Sequence, residues 1–177
     1  MLTDISSHWA ASAIQKAVAA GFVNGYTDNT FRPNQQVNRA EFITMLARAL
    51  KLPESGTGDF KDNSAIPAWA KSYAAQAAAA GIVSGYADGT FRPEQKLSRA
   101  ELTVMIVRSL GITVDPQAKL TFADAGAVPA WAAPYVAAAV EKSLVSGIGQ
   151  NRFAPNQTAT RAEAVALIVN MLENASE

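Results

Sequence analysis

Apolar side chains recur at helical spacing in three separate stretches. Phe42, Leu46 and Leu50 form the first, widened by Ile43 and Met45; Leu102, Ile106 and Leu110 form the second; Val165, Ile168, Val169 and Leu172 form the third. Steps of three and four put such residues on one face of a helix. Each stripe is preceded by a short polar residue followed three positions later by glutamate, in Asn38-Arg39-Ala40-Glu41, Ser98-Arg99-Ala100-Glu101 and Thr160-Arg161-Ala162-Glu163. That is the capping-box pattern, which satisfies the first free amides of a helix reciprocally. Upstream of each stripe a Trp-Ala pair opens an alanine-rich segment, predicted to be a helix ending near Ala20, Ala80 and Lys142. Pro67 and Pro129, two residues before the tryptophan, suit a first helical turn. Gly21 and Gly81 stand where a left-handed C-cap is wanted. Ser143 takes that place in the third segment, so a different ending is expected there. Between the two helix types lie turn-rich stretches containing Asp28-Asn29 and Asp88-Gly89, both tight-turn signals. The phenylalanine after each turn reads as a plug packed on the helices.

The pattern is one unit in three copies. Trp9, Trp69 and Trp131 are 60 and 62 residues apart, a glycine follows each by 16 (Gly25, Gly85, Gly147), and an arginine follows each glycine by 14 (Arg39, Arg99, Arg161). The reading is an all-α fold, mostly helical with turn-rich loops, built from tandem helix–loop–helix repeats over residues 1–56, 57–117 and 118–177. A unit of this size has a small core that its neighbours must cover. Three units can stack in line or close on themselves. The alanine runs, which let helix axes approach, favour a pseudo-threefold trimer of repeats around a central helical bundle, together one compact module.

Composition narrows the function. Fifteen basic and fifteen acidic residues leave no net charge, so there is no global positive field of the kind that non-specific nucleic-acid or anionic-membrane binding uses. Any anion must be held by local geometry. Cysteine is absent, which excludes disulfides, thiolate metal sites and a cysteine nucleophile. The apolar stretches reach about ten residues, short of the roughly 20 that span a bilayer. Repeat sequence begins directly after Met1 without a basic and apolar leader, and the segment is expected to belong to a longer exported protein.

The arginine after each N-cap is the most informative side chain. Helix dipole and free first-turn amides favour an anion at that point, and a guanidinium fork matches a carboxylate. A cation there has the wrong sign for the dipole, so three of them imply a use for the charge. The competing reading is a structural staple, with each arginine bonded to the glutamate two residues on or to an aspartate of a neighbouring unit. Trp9, Trp69 and Trp131 are core anchors or, beside a groove, surfaces for a sugar face; Tyr26 and Tyr86 line the same groove, where the third unit has Ile148. Asp4, Asp62 and Asp124 cap the turn before the first helix or accept from a sugar hydroxyl. Asp28 and Asp88 form turns. The loops lack the alternating ligands and the glycine of a calcium loop, and His8 is the sole histidine, so neither a metal nor another cofactor is expected. No nucleophile elbow, phosphate loop or acid/base pair is visible, and no enzymatic activity is expected.

Taken in order, Phe-x-Asp, Trp-Ala, Gly-Tyr-x-Asp-Gly-Thr-Phe-Arg-Pro and Ser/Thr-Arg-Ala-Glu resemble the S-layer homology domain, three times over nearly the whole chain. The resemblance implies a pseudo-trimeric helical fold with grooves between repeats. It also implies non-covalent anchoring of a secreted bacterial surface protein to a secondary cell-wall polymer, often one carrying pyruvylated N-acetylmannosamine. It implies that Arg39, Arg99 and Arg161 meet the ketal carboxylate, and that Gly25, Gly85 and Gly147 let sugar approach the backbone. The expected partner is this cell-wall polysaccharide, with no nucleic acid or membrane. The expected form is a monomeric module fused to an S-layer protein or surface enzyme. The third unit departs from the pattern at Gly147-Ile148-Gly149-Gln150-Asn151-Arg152-Phe153-Ala154-Pro155, so its groove is expected to be altered or silent. A protein-binding or self-assembly module with stapling arginines stands as the alternative.

Overall fold

Helices start where a partner exists for their first amides. The computed structural model describes residues 1–174, and among these the chain forms six α-helices: α1 (Ala11–Ala19), α2 (Arg39–Ala49), α3 (Ala68–Ala79), α4 (Arg99–Ser109), α5 (Ala133–Glu141) and α6 (Arg161–Asn174). Complete capping boxes open α2 at Asn38 and α4 at Ser98. At α6 the Glu163 amide donates to Thr160 Oγ1 at 3.2 Å. The alanine-rich helices begin later than the Trp-Ala pairs predict in two repeats. Trp9 and Trp131 lie in turns ahead of α1 and α5, and Trp69 alone is helical. In the third repeat the Pro129 carbonyl accepts from Ala132 and Ala133, which makes a separate turn before the helix. Pro67 is the N-cap of α3 rather than a first-turn residue.

The helix ends are more uniform than the sequence indicates. Gly21 and Gly81 take φ of +80° and +75°, and Ser143 takes +56°. The serine bears the steric cost of the left-handed conformation because the same cap bond forms, with Leu144 N–H donating to the Ala139 carbonyl as Ile82 does to Ala77.

The turn-rich segments are locked by aspartate. Both carboxylate oxygens of Asp4 accept from the successive amides of Phe31 and Arg32, at 2.8 Å each. Asp62 does the same with Phe91 and Arg92, and Asp124 with Phe153 and Ala154. Two adjacent amides converging on one anion form a backbone nest, and Arg32, Arg92 and Ala154 take positive φ to make it. The clamp drives Phe31, Phe91 and Phe153 fully into the core, as the plug reading expects.

The helices that pack together come from different repeats. The second helix of each repeat lies on the first helix of the next: α2 on α3, α4 on α5, and α6 back on α1. α6 also meets α2 and α4. The connecting backbone follows the same circuit. Arg39 and Ala40 amides donate to the Gln95 and Pro93 carbonyls of repeat two. Arg99 and Ala100 donate to Gln157 and Pro155 of repeat three, and Arg161 and Ala162 to Gln35 and Pro33 of repeat one. Isolated antiparallel bridges mark the joints, Asn38 with Lys96, Ser98 with Thr158 and Gln36 with Thr160. The last link joins repeat three to repeat one, so the repeats close into a ring. A Lys16–Glu173 ion pair adds to the same seam between α1 and α6. Small residues serve the packing: Ala70, Ala74 and Ala77 of α3 are buried at helical spacing.

A repeat in sequence is therefore not a unit of packing. A fragment of residues 57–117 contains α3 and α4 but neither α2 nor α5, the helices they pack on. It is expected to be unfolded, giving a coil-like far-ultraviolet circular dichroism spectrum and no cooperative thermal transition.

Candidate functional site

Ring closure uses the amides that the sequence reading left for a ligand. At each second helix the first two N–H groups go to the next repeat's loop carbonyls, and the third goes to the N-cap side chain. No first-turn amide remains to hold an anion, so that part of the expectation is corrected. The arginine side chain is what remains.

Each of these arginines does staple the ring, to a different partner from those expected. Arg39 Nε donates to the Phe91 carbonyl at 2.7 Å, Arg99 Nε to Phe153 at 2.9 Å and Arg161 Nε to Phe31 at 3.0 Å. The acceptor is a backbone oxygen of the following repeat, not an aspartate and not the glutamate two residues on. The glutamate that approaches also belongs to the following repeat: Glu163 lies 3.6 Å from Arg99 and Glu41 lies 4.0 Å from Arg161. Arg39 and Arg161 are each only 6% exposed. Burial draws the Arg39 guanidinium down from its ordinary value, against the favourable field of Tyr86 and Glu101. Burial likewise raises the Tyr86 phenol, the Arg39 charge opposing it.

Beside each guanidinium is an open cleft, and all three repeats build it. The Arg39 cleft, about 720 Å³, takes Gly85, Tyr86 and Glu101 from repeat two and Trp131 from repeat three. The Arg161 cleft, about 350 Å³, takes Gly25, Tyr26 and Glu41 from repeat one and Trp69 from repeat two. The Arg99 cleft, also about 350 Å³, takes Gly147 and Glu163 from repeat three and Trp9 from repeat one. Trp9, Trp69 and Trp131 are 67%, 53% and 55% exposed. The core-anchor reading of the tryptophans is thereby corrected: each forms an apolar cleft wall that faces solvent.

The clefts are not equivalent. Arg39 lies under the Tyr86 ring at 4.8 Å and Arg161 under Tyr26 at 5.0 Å. A second arginine, Arg92 or Arg32, stacks on each tyrosine at 3.8 Å and pairs with Asp88 or Asp28 at 3.2 Å. With Ile148 in place of tyrosine, Arg99 has no such lid. Its guanidinium turns to the protein, donating also to the Ser146 carbonyl at 3.1 Å beside Glu163. The position nine residues after each arginine lines the cleft of a different arginine: Arg48 that of Arg161, Arg108 that of Arg39 and Asn170 that of Arg99. The sequence reading missed it, although its constant offset from Arg39, Arg99 and Arg161 was available as a signal. A floor position likewise changes, from Thr44 to Val104 to Ala166.

Two groups of expected ligand residues have structural roles. A side chain on Gly147 would collide with the Arg152 carbonyl at 2.7 Å, one on Gly25 would displace the tip of Leu2 at 2.3 Å, and one on Gly85, at φ +77°, would press on the Thr90 carbonyl at 3.0 Å. These glycines fit the loop to the opening residue of the repeat. Asp4, Asp62 and Asp124 spend both oxygens on the nest. Asp28 and Asp88 form turns as expected, each accepting from the amide and hydroxyl of Thr30 or Thr90.

The family described as the S-layer homology domain matches residues 2–43, 59–103 and 121–165. The amylopullulanase of Thermoanaerobacterium thermosulfurigenes is 35% identical over 96% of this chain and 9% of its own length. The cellulosome-anchoring protein of Acetivibrio thermocellus is 41% identical over 59% of this chain and 24% of its own length. The S-layer protein EA1 of Bacillus anthracis is 29% identical over 92% of this chain and 19% of its own length. This chain thus spans a minor part of each.

The stapling role has a measurable size. Arg39→Ala strands the buried Phe91 carbonyl and is expected to cost about 1–3 kcal/mol in urea denaturation. Acid should act through the loops. The Phe153 amide leads in holding Asp124 below its ordinary value of 3.8, and Thr90 holds Asp88 down to about 2. A depressed carboxylate stabilises the fold above its unfolded value and loses that effect as pH falls through the folded one. Melting temperature should therefore hold above about pH 4 and drop between there and about pH 2, followed by circular dichroism.

Proposed function

The chain belongs to the S-layer homology family, and on that premise we propose that it is a non-catalytic module that anchors a surface protein to the bacterial cell wall. Its ligand is an anionic wall polysaccharide, and the acidic group it grips is the ketal carboxylate of a pyruvylated sugar. The observation that carries this reading is the cleft itself: a buried guanidinium at the base and an exposed tryptophan at the wall, in a protein without net charge. A poorly hydrated guanidinium gives up little water when a carboxylate arrives, and a charge-assisted bond in a sheltered site is strong. The tryptophan face suits the apolar face of a sugar ring.

The named relatives fit the role in two ways. One is named for anchoring and one for the S-layer. The amylopullulanase shares with this chain only a small part of its length, so its name lends this chain no hydrolytic function. On this reading the full-length protein is exported and held at the cell surface, and residues 1–56, 57–117 and 118–177 act as one binding module.

The Arg39 and Arg161 clefts are the working sites, and the Arg99 cleft is silent. The first two keep tyrosine over the guanidinium. The third commits its guanidinium to Phe153, Ser146 and Glu163. Because the arginines also staple the ring, their substitution mixes binding with folding. The tryptophans separate the two, since they are exposed.

Calorimetric titration with a pyruvylated N-acetylmannosamine glycoside is expected to give two sites per chain. The twin lacking the ketal acid should bind at least about tenfold more weakly, because a buried donor is left unpaired. Equal affinity for both sugars would remove the mechanism. Trp131→Ala and Trp69→Ala should each weaken one site about tenfold and move the melting temperature by less than about 2 °C.

A further inference from the structure

The position nine residues after each stapling arginine differs among the three clefts. In the Arg161 cleft it is Arg48, whose Nη2 is spent on the Gly21 carbonyl at 2.7 Å. In the Arg99 cleft it is Asn170, whose amide is spent on the Ser143 and Leu144 carbonyls at 3.0 Å. In the Arg39 cleft it is Arg108, whose guanidinium has no hydrogen bond or ion pair among the described residues and sits over the Tyr135 ring at 5.2 Å. An aromatic face orients a guanidinium while leaving its edge donors free.

Charge and space agree with that difference. The Arg39 cleft is lined by Arg39, Arg92 and Arg108 against Glu101 alone. The Arg161 cleft sets Arg161 and Arg48 against Glu41, and the Arg99 cleft sets Arg99 against Glu163. Of the three cations in the first, Arg92 is paired with Asp88 and Arg39 is the buried staple, which leaves Arg108 uncommitted. That cleft also has about twice the volume of either other one, about 720 Å³ against about 350 Å³.

We propose that the Arg39 cleft contains a second anion subsite built on Arg108, so that it takes a stretch of polymer bearing two acidic groups where the other clefts take one at most. The inference rests on the anchoring reading and deepens it: one acid meets Arg39, and a second acid on a neighbouring sugar meets Arg108. The Arg39 cleft then reads the spacing of acids along the chain of sugars, beyond the presence of a single one.

The test uses a chain in which Trp9 and Trp69 are phenylalanine, so that Trp131 fluorescence reports the Arg39 cleft. It is titrated with a singly pyruvylated monosaccharide and with a longer oligosaccharide carrying two pyruvyl ketals, with and without Arg108→Ala. The parent should prefer the two-acid ligand by about tenfold or more, with a steeper fall of affinity as salt rises. Arg108→Ala should abolish the preference and leave the affinity for the monosaccharide within about twofold. Arg108→Lys should keep part of the preference, because the charge stays. Equal loss for both ligands, or a preference that survives Arg108→Ala, overturns the second subsite. Failure of the parent to bind either sugar overturns the anchoring reading instead. A melting temperature for each variant identifies any loss that comes from unfolding.

Discussion

The structure depends on one exchange between neighbouring repeats: the first turn of each second helix is satisfied by the loop of the next repeat. Two amides go to loop carbonyls, and the arginine Nε goes to the carbonyl of the buried phenylalanine. A helix start cannot be buried with open donors. The three-membered circuit resolves this for every repeat at once, because the last start finds the first loop. Ring closure is thus a hydrogen-bonding requirement as much as an apolar one. It also explains why a cation tolerates the positive end of a helix dipole. The dipole's own amides are already neutralised by carbonyls, and the guanidinium sits among carbonyl oxygens and aromatic faces.

Much of this was legible in the sequence, and the division has a physical basis. Features made by residues close in the chain were readable. The capping boxes at Asn38 and Ser98 and the Asp28 and Asp88 turns depend on local spacing, and the burial of Phe31 and Phe91 on a clamp within one repeat. Features made between repeats were not. Nothing local says that the Arg39 amide will meet Gln95, or that α2 will lie on α3 and not on α1. Ser143 misled in a smaller way, because the helix-end bond to Ala139 outweighs its reluctance to adopt positive φ.

The site was half legible for the same reason. Its arginines and tyrosines stood out by triplication. Trp9, Trp69 and Trp131 read most simply as core because a large aromatic at a helix start usually packs inward, and only the ring places each in the cleft of an arginine from another repeat. Gly25, Gly85 and Gly147 drew attention as places for a ligand, and each also has a loop carbonyl within 3.0 Å of where a side chain would begin. Arg48 and Arg108 were overlooked because a cation near a helix C-terminus has a sufficient reason to be present. Comparing them with Asn170 shows what the reason leaves out.

On the proposed reading, a neutral protein that binds an anion must concentrate charge without broadcasting it. Here each working guanidinium is partly withdrawn from water by the same contacts that close the ring, so its charge is felt in the cleft and little beyond. The consequence is a coupling between fold and affinity. Any change that loosens a joint lets water back to the guanidinium and lowers the advantage of a carboxylate over water. The third repeat illustrates the converse. With Ile148 in place of the tyrosine lid, Arg99 finds Ser146 and Glu163 within its own ring, and on the proposed reading the joint keeps its staple while the cleft gives up a free guanidinium. Stapling needs only Nε, so it survives in all three joints. Anion binding needs the rest of the fork, so it is the property that a single loop can give up without opening the ring.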